Sequence, residues 1–312
     1  MSESQSHLPV LVESLKPSDS LPFPLYVLLG DSLMLFRTQR DRLAAHDLEE
    51  LLRAEKVELV TSGERSDAYL PLISDSVKSV VGMPGMPRER LGECYRRGLV
   101  AASHILANAE TEAGYQCAEN LTETMIELLD QCAHEYAATA DLMKTDPNFA
   151  EHALQTSMLG MMLANAVGYP HVAQLGIGLL LHDLGEVALP REVRECRTQG
   201  ERTRYESHPR LGAQLLAKAP WCSPKVVDIV LNHHERLDGS GFPGGCKGSD
   251  LSPAARIAAI VEAYDEGVSG SPRAESRKNF AVLQELLVRD AGKFDPDYLK
   301  AFVRLQAARA EA

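Results

Sequence analysis

His233-His234-Glu235-Arg236-Leu237-Asp238-Gly239-Ser240-Gly241-Phe242-Pro243-Gly244-Gly245 is the stretch on which the reading of this chain turns. Two adjacent imidazoles meet a glycine-rich run that has no Gly-Lys-Ser/Thr ending, so it is not a nucleotide P-loop. The glycines instead permit a sharp turn and a close backbone approach to a ligand beside the histidines. Working back along the chain, further histidines recur at His208, at His182-Asp183 and at His152, with intervals of 25, 26 and 30 residues. A helix hairpin with its loop takes about that length, so all five rings can converge on the centre of one helical bundle.

Helix start signals support that bundle. Asp146-Pro147, Ser223-Pro224, Ser252-Pro253 and Asp295-Pro296 each place a capping side chain before proline. Proline at the first helical position loses no hydrogen bond, because that N–H would be unpaired anyway. The residues from about 140 to the end are therefore expected to be helical. Residues 88–141 carry 3.6-residue apolar spacing, as in Leu121, Met125, Leu128 and Leu129. Upstream, 23–37 suggests two strands around Gly30-Asp31, Asp47 opens a helix to about Glu55, and Val57–Thr61 suggests another strand. The fold class is thus mainly α: a C-terminal all-helical bundle behind a small N-terminal α+β domain. The expected division is a flexible arm (1–22), the α+β unit (23–87), connecting helices (88–140) and the metal-binding bundle (141–312).

Imidazole with carboxylate suits iron, manganese, zinc or nickel, and the lack of cysteine at these positions argues against a thiolate zinc site. An Asp directly after a His can bridge two ions while the His binds one. Two such ions lower the pKa of a bridging water toward neutrality, and the hydroxide is a nucleophile for a phosphodiester. Composition limits the alternatives. The 312 residues carry 32 Lys+Arg against 44 Asp+Glu, a formal charge of −12 with no basic run, which disfavours nucleic acid as partner. No apolar run is long enough to cross a bilayer, so no membrane partner is expected. Met1–His7 is polar and the six cysteines form no CxxC pair, so a cytoplasmic location is expected.

Leu181-His182-Asp183-Leu184-Gly185, His208-Pro209-Arg210-Leu211-Gly212 and the His233–Gly245 stretch resemble the HD-GYP branch of the HD metallophosphohydrolase superfamily, over roughly residues 145–275. The resemblance implies a hydrolase of cyclic di-GMP with a metal centre. It assigns His152, His182, Asp183, His208, His233 and His234 as ligands, with Asp183 bridging and catalytic. The last ligand falls in Glu262-Ala-Tyr-Asp265, where Glu262 stands at the ligand position and Asp265 at the second acid, so Glu262 is the expected ligand and Asp265 the alternative. Two divalent transition-metal ions are implied, iron first, with manganese and nickel sharing the same ligands.

The departures cluster on substrate grip. Asn148 replaces a glutamate that holds a third metal in some members, so two ions are expected. Glu186 stands where the family has lysine, and Phe242 replaces the tyrosine of the GYP motif, losing a hydroxyl donor worth about 1.5–3 kcal/mol toward a charged group. Ser271-Pro272-Arg273-Ala274 lacks the family's two phosphate-clamping cations, though Arg273 or Lys278 can compensate. Glu186, Gly241, Phe242, Asp265 and Arg273 are the residues expected at the substrate. Two readings follow: a phosphodiesterase of cyclic di-GMP or a related phosphoester, or a weak or inactive pseudo-enzyme that acts as a cyclic-dinucleotide signalling adaptor. The N-terminal unit offers no catalytic constellation and is expected to regulate or to bind a signalling partner. The apolar positions at 88–141 suit either a homodimer or burial within one chain.

Overall fold

The computed structural model describes residues 7–17, 19–30, 32–53, 58–131, 149–194, 198–270 and 277–310. Strands β1 (His7–Pro9), β2 (Leu25–Leu29), β3 (Ser32–Arg37) and β4 (Glu58–Ser62) form one antiparallel sheet in the order β1-β4-β2-β3. The β2–β3 hairpin turns at Gly30, whose φ of 59° lies in the left-handed region that glycine adopts without strain. Helices α1 (Ala45–Arg53) and α2 (Leu70–Ser79) complete this unit.

Residues 7–17 and 19–22 correct the expectation of a loose arm. His7–Pro9 pairs with β4, and Val10, Leu15 and Leu21 are buried. The anchor is Tyr69, fully buried, whose hydroxyl accepts from the Leu11 amide at 2.9 Å and lies 2.7 Å from Ser14 Oγ. Its ring packs edge-on against Phe23 and beside His104, and burial pushes its phenol up to about 12. A three-residue strand is too short to declare itself by alternation.

Two long helices, α3 (Pro87–Ala107) and α4 (Glu112–Gln131), pack against each other and against α2. The helical domain continues with α5 (Phe149–Ala166), α6 (Val172–Leu180), α7 (Arg191–Arg194), α8 (Gln199–Tyr205), α9 (His208–Leu216), α10 (Pro224–Asn232), α11 (Pro253–Ser269), α12 (Asn279–Val288) and α13 (Pro296–Ala310). Helix α5 is buried on nearly every face and packs against α3, α6, α11 and α13. A helix apolar all round belongs inside a bundle. The start signals at Ser223, Ser252 and Asp295 cap as expected: Ser223 Oγ accepts from Lys225 N, Ser252 Oγ from Ala255 N, and Asp295 Oδ1 from Asp297 N. The signal at Asp146-Pro147 lies outside the described residues.

One apolar cluster runs unbroken from Val10 and Leu25 in the N-terminal unit, through Leu91 and Leu121, to Leu154, Leu181 and Val230 beside the histidines. No helix among the described residues is long and apolar enough to cross a membrane.

Candidate metal centre

Three histidines are placed by the ends of helices. His182 follows α6, His233 caps α10 and His208 opens α9 just after α8. Each uses Nδ1 in the same way: His182 toward Leu179 O at 2.5 Å, His208 toward Tyr205 O at 2.9 Å and His233 toward Val230 O at 2.9 Å. A helix leaves its last carbonyls without intrahelical partners, and these rings supply donors to them. A carbonyl can only accept, so each Nδ1 carries the hydrogen, and in the neutral ring each Nε2 presents a lone pair to the centre. His152, on α5, is fixed similarly by donating from Nδ1 to Asp265 Oδ2 at 2.7 Å.

The four Nε2 atoms meet in two pairs, His152–His182 at 3.0 Å and His208–His233 at 3.2 Å. Asp183 lies between them. Its Oδ2 is 3.4 Å from His152 Nε2 and 3.2 Å from His182 Nε2, while its Oδ1 is 3.1 Å from His208 Nε2 and 3.5 Å from His233 Nε2. Glu262 Oε2, from α11, faces the first pair at 3.5 and 3.2 Å. His182, His208 and His233 are fully buried, and Asp183, His234 and Glu262 nearly so; His152 alone reaches the partly open side.

Electrostatics favour positive charge in the middle. Burial opposes protonation of His152, yet Glu262, Asp183 and Asp265 outweigh it and hold its pKa well above the imidazole range. His182 is pushed up to about 10 by Asp183 and Glu262 against the same burial. Burial drives His233 down to about 4 and His234 well below the usual value. Asp183 Oδ1, Glu262 Oε2 and His234 Nε2 are buried without hydrogen-bond partners. Facing lone pairs and orphaned oxygens of this kind repel one another unless a cation lies between them.

Divalent cations fit this donor set. Asp183, His208, His233 and His234 bring ligand atoms within 4.8 Å of one another, as do His152, His182 and Asp183. The mixture of imidazole nitrogen and carboxylate oxygen suits first-row transition ions.

The long glycine-rich stretch is held from behind. Glu235, fully buried, accepts from Gly244 N at 2.6 Å, Gly245 N at 3.0 Å and Cys246 N at 3.0 Å. This fastening was missed in the sequence; a glutamate directly after two candidate ligands, followed by a run of glycine amides, was the available signal. A Cβ at Gly241 would come within 2.5 Å of His234 O and Arg236 N, so only glycine lets the turn lie against the histidine segment. Phe242 stacks on His234, ring centroids 4.4 Å apart. Glu186, half-buried, accepts a hydrogen bond from the Tyr205 hydroxyl, and burial together with nearby Asp183 raises its pKa to about 7. Asp265 stands behind His152. Arg273 lies outside the described residues, as does Asn148.

The sequence profile of the HD domain matches residues 124–298, more than half of the chain. The chain belongs to the HD domain family. Similar curated relatives include a cyclic di-GMP phosphodiesterase of Pseudomonas aeruginosa, 33% identical over 160 residues, 49% of this chain and 38% of that protein. The cyclic di-GMP phosphodiesterase response regulator RpfG of Xanthomonas campestris is 34% identical over 131 residues, 41% of this chain and 35% of its own length. The chain thus spans well under half the length of these two relatives. A solved structure described as an HDG"Y"P protein from Bdellovibrio bacteriovorus superposes with a TM-score of 0.71 at 18% identity, covering 97% of this chain and all of that one. That likeness is one of fold, and it extends over the N-terminal unit as well as the HD domain.

Proposed function

We propose that this HD-domain protein is a metal-dependent phosphodiesterase acting on cyclic di-GMP or a closely related phosphodiester. The observation that carries the reading is Asp183, whose two carboxylate oxygens are divided between two histidine pairs. A carboxylate split in this way suits a bridge between two cation positions. His152 and His182 with Glu262 would hold one ion; His208, His233 and His234 would hold the other. Ions bound there supply Lewis-acid stabilisation of a phosphoryl oxygen and an activated water.

The protein's own residues do the rest. The Nδ1–carbonyl bonds fix the tautomer and aim of His182, His208 and His233, so no ring reorients during turnover. Asp265 performs the same service for His152 and adds negative charge behind it. Glu235 holds the Gly244–Cys246 backbone, and Phe242 just before it stacks on His234. Cyclic di-GMP as substrate is supported by the names of the relatives.

A second reading is favoured by Glu186. A carboxylate bonded to Tyr205, in place of the lysine of the resembled motif, puts an acceptor where a phosphate would need a donor. Together with Phe242, which has no hydroxyl, this suits a domain that binds a cyclic dinucleotide weakly and signals through a partner. Protein loaded with iron or manganese, assayed on cyclic di-GMP and on a generic phosphodiester, separates the two. Turnover abolished in His182→Ala and Asp183→Asn supports the enzyme. Confirmed metal without turnover on either compound refutes it and leaves the adaptor.

A further inference from the structure

Strand β3 is one outer edge of the sheet. Ser32, Leu33, Met34 and Leu35 are exposed, the three apolar side chains by 40%, 51% and 54%. Alternation puts Leu33 and Leu35 on one face, beside half-buried Leu28 and Tyr26 of β2, and Met34 on the other, with exposed Leu29. Soluble proteins guard such an edge with charge, proline or a bulge. Ser32–Phe36 contains no charged residue and no proline, and the register shift falls at Phe36, past the exposed stretch. The backbone decides what fits. In a two-residue hairpin the closing pair, Leu29 and Ser32, exchanges hydrogen bonds, and every second pair does so after it. The amides and carbonyls of Ser32 and Met34 therefore serve β2, and those of Leu33 and Leu35 point outward from the edge.

We infer that β3 is a self-association edge, on which a second copy of this chain pairs antiparallel, Leu33 of each copy opposite Leu35 of the other and Met34 beside its own counterpart on the two-fold axis. In that register the edge is its own complement, the geometry of an isologous dimer: outward amides meet outward carbonyls, and the two sheets become one. Charge permits the approach. A chain of formal charge −12 repels its copy, but Ser32–Phe36 brings no charge to the contact, and Arg37 beyond it is paired with Asp47 at 2.7 Å. The apolar positions of α3 and α4 are not available to a partner, since Leu91, Leu121, Met125 and Leu128 are buried within the chain. The exposed apolar area along β3 is roughly a few hundred Å² per copy, short of the ~800 Å² per partner of a standard stable interface, so the dimer is weak and forms with concentration.

Sedimentation velocity of the full chain at about 5 to 200 µM tests this. Wild type should pass from monomer toward dimer across that range. Leu35→Lys, at an exposed position, should keep the circular dichroism and Tm of wild type and associate about tenfold or more weakly. Met34→Cys reports the register: directly opposed residues that do not share hydrogen bonds lie about 4.5 Å apart at Cα, within disulfide reach, so mild oxidation should give a covalent dimer on a non-reducing gel. Leu33→Cys sets its thiols out of step and should give none, like wild type with its six native cysteines. Monomer at every concentration, or a dimer that Leu35→Lys leaves intact, would overturn the inference. Equal cross-linking of Met34→Cys and Leu33→Cys would overturn the register.

Discussion

His152 and His182 face each other through Nε2 atoms 3.0 Å apart, although each has already committed its Nδ1 hydrogen elsewhere. Only one proton fits between two such nitrogens, and Asp183 and Glu262 stand close enough to stabilise more charge than one proton brings. The folded chain therefore contains an unmet demand for a cation.

Removing metal should destabilise the protein measurably. Melting curves at fixed pH, before and after dialysis against a strong chelator, should show a lower Tm for the stripped protein. Manganese at a hundred times its Kd should return about 2.7 kcal/mol per independent site. Identical melting curves in the two states would contradict a cation-dependent centre.

Asp265→Asn keeps an acceptor for His152 but removes the charge behind the ring. Metal affinity should fall about 10- to 100-fold, with helical content unchanged, as read by competition with a chromophoric chelator and by circular dichroism. Unaltered affinity would reduce Asp265 to packing.

Gly185→Ala should be far more damaging than an alanine normally is. The added Cβ would lie 1.9 Å from His208 O and 2.7 Å from Gly212 N, both backbone atoms that cannot swing away. Overpacking typically costs about 1–3 kcal/mol, and this site belongs at or above the upper end. Urea titration gives the stability loss; metal content should fall with it, because the clash pushes His208 away from Asp183.

The double change Glu186→Lys with Phe242→Tyr restores a cation and a hydroxyl donor at the two positions that differ from the resembled motif. Cyclic di-GMP should bind about tenfold tighter or better, from one hydrogen bond to a charged group of about 1.5–3 kcal/mol. Calorimetry on metal-loaded protein measures it. No gain would mean that this chain grips its ligand elsewhere.

His104 sets a separate pH dependence. It is fully buried, with Nε2 2.8 Å from Pro9 O, and burial pushes its pKa down to about 4. The unfolded chain takes up the proton near pH 6.5 and the folded chain resists until about 4. Stability is therefore complete above 6.5 and declines as pH falls through that window, by about 3 kcal/mol. His104→Gln should flatten this part of the profile in denaturant titrations at pH 7 and 4.5; an unchanged difference from wild type would exclude His104 as the source.

The imidazole spacing and the Ser-Pro signals were legible because helices impose a short-range period and leave capping groups at their ends. The family pattern then located every ring that converges on Asp183. What was not legible depends on contacts between distant residues. Tyr69 pins Leu11 and Ser14 from more than fifty positions away, so residues 7–15 gave no local sign of order. Glu235 looked like one more charged side chain until the turn brought three amides onto its carboxylate.

Because three rings hang from a carbonyl three residues earlier, the centre is tied to helical phase. One residue inserted between Leu179 and His182, or between Val230 and His233, would swing an imidazole by roughly 100° about the helix axis and turn its lone pair into the apolar core. Extra length in a loop between helices would leave every ring where it is. Sequence drift in this protein should therefore accumulate as loop-length variation, while the counts from helix end to histidine stay fixed.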